Sequence, residues 1–121
     1  MMILNLTQHL ATPDQINSGV VEPNDHHKMR IVKLLTFDTI PTLCQMTNRA
    51  CAIRSIVVKY PKLDGVMLGG APVFMGTLED ILSVLPLRIL YAFSIRESVE
   101  KNIDGKVIKT NVFKHIGFVE V

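Results

Sequence analysis

The sequence predicts an α/β domain with a mixed, mostly parallel sheet, and three observations carry that reading. Short apolar runs at Met2–Leu6, Val66–Leu68 and Ile89–Phe93 lack the in-out alternation of half-exposed strands. Such runs suit strands covered on both faces. The segments between them repeat apolar residues at steps of three and four, the spacing of an amphipathic helix. Near the C-terminus, Asp104–Gly105 is a hairpin signal, because both turn positions tolerate positive φ.

Taken in order, Met2–Leu6 is the first strand, followed abruptly by polar residues through His9. Thr12 can cap a short helix, Pro13 to about Ser18, with Gln15 as its capping-box partner. Gly19 is a natural stop. Val20–Asn24 reads as a connector, because Pro23 forces Glu22 to be extended. Asn24 or Asp25 then caps a helix from about His26 to Leu35, one-sided through Met29, Ile31, Val32, Leu34 and Leu35. A longer helix spans about Pro41 to Lys59, with Leu43, Met46, Ala50, Ile53 and Val57 as its buried stripe and Arg49, Arg54 and Lys59 off it.

Gly65–Leu68 is the second strand. Gly69–Gly70 frees the backbone, and Pro72 suits the first turn of a helix running to about Leu85. Leu78, Ile81, Leu82 and Leu85 of that helix face inward. The third strand, Leu87–Ile95, ends in a second switch to polar residues, Ser94 to Ser98. Two antiparallel strands, about Ser98–Ile103 and Lys106–Lys114, flank the turn. Phe118–Val121 is a terminal strand or an oligomer contact. The order predicts a small Rossmann-like domain of three layers with right-handed crossovers and an antiparallel C-terminal end.

With 121 residues, 1–121 reads as one α/β domain, and an apolar fraction of 48% is ample for a core. A net charge of +2 and seven aromatics (Tyr 2, Phe 5) give no basis for a nucleic-acid surface. Cys44 and Cys51 on one helix would lie about 10 Å apart along its axis, too far to bridge. Reduced thiols, the lack of a signal-peptide pattern and the lack of a membrane-length apolar run make a cytoplasmic protein the expectation.

Ligands of open parallel sheets bind beyond the carboxyl ends of the strands. Three polar strand ends are expected to meet there: Asn5, Thr7, Gln8 and His9; the Gly69–Gly70 backbone; and Ser94, Arg96, Glu97 and Ser98. Helix N–H groups beside a guanidinium would suit a phosphate or carboxylate. His9 and Glu97 are the candidate acid–base groups.

Each residue also has a plainer role. The glycines could serve a tight turn, and Arg96 could pair with Glu97 or Asp80. His9 could be an ordinary histidine, and the serines could be strand-end hydrogen bonders. There is no P-loop and no full dinucleotide fingerprint. His26 and His27 point about 100° apart on a helix and do not chelate together, so no metal or cofactor is expected. Lys101, Lys106, Lys109 and Lys114 read as a charged edge that opposes sheet aggregation.

The stretch Asn5-Leu6-Thr7-Gln8-His9-Leu10-Ala11-Thr12-Pro13-Asp14-Gln15 resembles the start of stand-alone CRISPR-associated Rossmann-fold proteins. That resemblance covers about the first fifteen residues. It implies a pocket for a cyclic oligoadenylate at a two-fold dimer interface, pointing to Thr7, Gln8, His9, Gly69, Gly70 and Arg96. Without a fused effector domain, such a chain would bind or degrade that ligand. Gly69-Gly70-Ala71-Pro72 and Ser94-Ile95-Arg96-Glu97-Ser98 resemble stretches of small phage- and plasmid-borne proteins. This second resemblance covers most of the chain and implies no activity.

The reading is therefore a nucleotide- or phosphate-binding protein of a mobile element or defence system. A small hydrolase or phosphodiesterase at the same rim is the first alternative. A protein-interaction module acting through the hairpin and tail is the second. A homodimer is expected, because Phe118, Val119 and Val121 end the chain in apolar groups.

Overall fold

In the computed structural model, which spans residues 1–121, the sheet has the order β2-β1-β3-β4-β5. The strands are β1 (Ile3–Leu6), β2 (Val20–Val21), β3 (Gly65–Leu68), β4 (Arg88–Ile103) and β5 (Lys106–Glu120). β1, β2, β3 and β4 run parallel, and β5 returns antiparallel to β4. The helices are α1 (Pro13–Asn17), α2 (Asp25–Leu35), α3 (Leu43–Val57) and α4 (Pro72–Leu82).

Sequence chemistry sets the helix starts. Thr12 and Thr42 each accept a hydrogen bond from the backbone N–H three residues on, and Gln15 and Gln45 reach back to the cap, so both helices open with a full capping box. Asn24 caps α2 through the His27 N–H. Arg49 of α3 closes the other end of α2: its guanidinium donates to the carbonyls of Lys33, Leu34 and Thr36 and stacks 4.3 Å from the centre of the Phe37 ring.

The core divides by sheet face. Leu4, Leu6, Val66, Leu68 and Ile89 point to the face covered by Ile31 and Leu35 of α2, Ala50, Ile53, Ile56 and Val57 of α3, and Phe74, Leu78 and Leu82 of α4. Alternate residues Ile3, Val20, Met67 and Leu90 form a small cluster on the other face, joined by Ala11 and Phe118. All three long helices thus lie on one face, and the other carries only α1, which buries none of its residues. This corrects the expectation of a three-layer sandwich: the sheet curls into a half-barrel over one helical layer. The cause lies in the β1–β2 link, whose helix has only five residues.

Other boundaries differ too. Val20–Val21 is a strand, not a connector, because it pairs with Ile3 and Leu4. Leu43 lies in the first turn of α3, beyond the reach of the core, and is 71% exposed, while Ile56 takes a buried place. In α4, Phe74 and Met75 are buried beside Leu78 and Leu82; Ile81, and Leu85 beyond the end of the helix, only flank the core. The largest difference is β4, which does not end at Ile95 but continues to Ile103, paired with β5 around Asp104 and Gly105 at φ 52° and 77°. Phe118–Val121 falls at the end of that same β5, its last residue bonding to Ile89.

Candidate functional site

β1, β3 and β4 are parallel, so their carboxyl ends share one rim. The crossover from β1 leaves through α1 on one face, and those from β2 and β3 leave on the opposite face through α2, α3 and α4. Where two crossovers part to opposite faces, a crevice opens between the strand ends. A cavity of about 560 Å³ occupies that place here, lined by Thr7, Gln8, His9, Leu10, Thr12, Gln15, Met67, Leu68, Gly69, Gly70, Tyr91 and Ala92. Its volume is within the range of small-molecule and cofactor sites, roughly 300–1,000 Å³.

One wall is the loop from Thr7 to Ala11, and a polar knot beneath it sets its shape. Asn5, at 0% exposure, is the buried polar residue of the core. Its amide donates to the His9 carbonyl at 2.8 Å and to Glu22 Oε2 at 2.8 Å. Its Oδ1 accepts from the Thr7 N–H at 3.0 Å and from the Thr7 hydroxyl at 2.7 Å. Lys28 Nζ donates to the carbonyls of Thr7 (3.0 Å) and His9 (2.8 Å) and to Glu22 Oε1 (3.0 Å). Glu22 Oε2 also accepts the Ala11 N–H at 2.7 Å.

Burial pushes the Glu22 carboxyl upward, but its bonds to Asn5, the Ala11 N–H and Lys28 outweigh that and hold it below the usual carboxylate range. Glu22 and Lys28 carry no motif-like spacing, and sequence reading missed both. The one available signal was Asn5 inside an otherwise apolar strand, since a buried amide must find partners.

The second wall is the β3–α4 junction. Gly69 passes so close to β1 that a Cβ there would meet Thr7 Cγ2 at 3.1 Å. α4 then starts at Pro72 with no side-chain cap; Pro72 has no N–H and the Phe74 N–H bonds to the Ala71 carbonyl at 2.9 Å, and the positive end of the helix dipole lies just after Gly70. Gln8 is tied down by its bond to Thr36 Oγ1 at 2.9 Å. The Tyr91 hydroxyl donates to Glu79 at 2.6 Å; burial and that carboxylate push its pKa well above the ordinary range. The exposed His9 imidazole is thus the acid–base side chain of the lining that is free to meet a ligand.

Thr7, Gln8, His9, Gly69 and Gly70 therefore come together, with Asn5 as the brace under them. Ser94, Arg96, Glu97 and Ser98 are not part of this lining. β4 carries them outward, so Arg96 lies about 17 Å along the strand from Tyr91 at ~3.4 Å per residue. There Arg96 stacks 5.6 Å from the centre of the Phe113 ring, Glu97 pairs with Lys114 at 3.8 Å and Ser98 bonds to Asn111 at 3.2 Å. His9 and Glu97 are not juxtaposed as an acid–base couple. His27 bonds to the Tyr60 hydroxyl at 2.6 Å rather than acting with His26.

The fold and site define an α/β protein with a mostly parallel sheet and a cleft where its crossovers part. Within that class the chain belongs to the uncharacterized protein MJ1673 family, whose model matches residues 1–119. No curated protein and no solved structure matches it. Nothing in these comparisons connects it with phage- or plasmid-borne proteins or with the CRISPR-associated Rossmann-fold class. No helix is long and apolar enough to cross a membrane.

Proposed function

We propose that this chain binds a small phosphate-bearing ligand, a nucleotide above all, in the cleft between the ends of β1 and β3. The observation that carries the reading is a cavity of about 560 Å³ at the parting of the crossovers, lined by the Gly69–Gly70 backbone that leads into α4. The Gly69–Gly70 backbone and the dipole of the helix that follows it favour an anion there. Met67, Leu10 and Ala92 offer apolar surface for a base or sugar, and His9 a hydrogen-bonding side chain.

Binding is favoured over hydrolysis, because the cleft holds one free acid–base group and no partner for it. The setting expected for this reading is cytosolic. The resemblance of Asn5–Gln15 to CRISPR-associated proteins adds a cyclic oligoadenylate to the ligands worth testing.

The test is thermal denaturation with inorganic phosphate, AMP, ATP, a cyclic dinucleotide and a cyclic oligoadenylate. A ligand at 100 times its Kd stabilises the fold by about 2.7 kcal/mol. A rise in Tm with at least one nucleotide, lost in Gly69→Val, supports the reading. No rise with any of them at about 1 mM overturns it.

A further inference from the structure

The cleft is lined by 12 residues, and none of them is lysine, arginine, aspartate or glutamate. Lys28 stands behind the Thr7–Ala11 loop, and its three N–H donors are taken by the carbonyls of Thr7 and His9 and by Glu22. Arg96 is stacked on Phe113 far out along β4, and Arg88 pairs with Glu120 at the amino end of that strand. The charge behind Tyr91 is the Glu79 carboxylate, which accepts its hydroxyl. Apart from the His9 imidazole, an anion in the cleft meets only the Gly69–Gly70 backbone, the dipole of α4 and uncharged side chains.

Such a site balances little charge. A phosphate monoester carries about 1.5–2 negative charges at pH 7, and each further phosphate adds to that. A helix dipole presents roughly half a positive charge at its N-terminus. Proteins that hold a nucleoside triphosphate add a lysine or arginine and a metal ion bridging the phosphates. This chain has no group of His, Cys, Asp or Glu placed to hold a metal. Every phosphate beyond the first would leave water with no charge to replace it, and burying an unpaired charge is costly.

The uncharged lining suits the rest of a nucleotide. Gln15 Oε1 accepts the Thr12 N–H, which leaves its amide N–H groups as donors. Gln8 Nε2 donates to Thr36, which leaves its carbonyl as an acceptor. These neutral groups match the edge of a base or the hydroxyls of a ribose, beside apolar surface from Leu10, Met67 and Ala92.

We propose that the cleft selects a nucleotide carrying a single phosphate and discriminates against the corresponding di- and triphosphate. This selectivity rests on the nucleotide reading above and narrows it.

The test is isothermal titration calorimetry on the full chain without divalent metal. The ligands are AMP, GMP, CMP, UMP and cyclic AMP, then the di- and triphosphate of the base that binds best. A triphosphate bound about tenfold more weakly than its one-phosphate counterpart, or weaker still, supports the proposal. Within that result, tighter binding of cyclic AMP than of AMP identifies a singly charged diester, and the reverse a terminal monoester. Leu10→Lys adds one ammonium to the lining at a side chain that is 74% exposed and makes no hydrogen bond. It is expected to narrow the gap by raising the triphosphate's affinity more than the monophosphate's, with circular dichroism confirming the fold. A triphosphate bound as tightly as its monophosphate, or a gap that Leu10→Lys does not move, overturns the selectivity and leaves the nucleotide reading standing. Binding of none of these ligands at about 1 mM overturns both.

Discussion

Replacing Lys28 by methionine tests whether the polar knot holds the cleft wall. The change keeps the length of the stem but removes an ammonium, 14% exposed, that donates to two loop carbonyls and to Glu22. Hydrogen bonds to charged groups are worth about 1.5–3 kcal/mol each, but Glu22 is 30% exposed, so water takes up part of the loss. A net cost of about 2 kcal/mol follows. At roughly 4 °C per kcal/mol for a domain of this size, Tm falls by about 8 °C at pH 7.

The pH profile separates the ion pair from mere packing. The Glu22 carboxyl is held below the usual carboxylate range in the folded chain. A depressed folded pKa contributes stability that is complete above the unfolded value and is lost as pH falls through the folded one. Wild type therefore loses the Glu22–Lys28 contribution on acidification, and the variant has none to lose. The gap in Tm between them is expected to narrow as pH falls through the folded pKa of Glu22, leaving the two carbonyl bonds. Calorimetry from pH 7 to 3 measures it. A Tm within about 2 °C of wild type at pH 7, or a gap that does not change with pH, would refute the reasoning.

Phe74→Ala empties the largest fully buried side-chain site of the core, at the centre of the helical layer, and is expected to cost about 3–5 kcal/mol in urea unfolding. Arg49→Met strips the carbonyl cap from α2 and the cation from Phe37; about 1–2 kcal/mol is expected, with faster amide exchange confined to the end of α2. Gly19 has φ 107°, and a Cβ there would lie 2.2 Å from the Met1 carbonyl oxygen. Gly19→Ala is thus expected to lower stability by about 1–2 kcal/mol and to loosen the pairing of β1 with β2, seen as lost protection of the Ile3 amide.

Elements governed by local chemistry were legible in the sequence. Thr12 with Gln15 named the start of α1, and Pro72 after Gly69–Gly70 named the start of α4. The uninterrupted apolar residues of β3 announced a strand covered on both faces. What depended on tertiary partners was not legible. Val20–Val21 is too short to show periodicity, and it is a strand only because β1 lies beside it. Lys28 and Glu22 meet across a strand-to-helix boundary, so their spacing carries no signal.

The switch to polar residues at Ser94 is the instructive case. Read as the end of a strand, it placed Arg96 in the cleft. Polarity along a strand reports loss of cover, not loss of extension: once β3 stops at Leu68, β4 has no helix above it and can carry serine and arginine without desolvating them. Apolar residues then recur only at every fourth position, Ile95, Val99 and Ile103, with Glu97 and Lys101 between them on the same face. That period was present in the sequence. Separating a turned chain end from a ribbon required knowing what covers those apolar residues, and nothing within one copy of the chain covers Ile95 and Ile103.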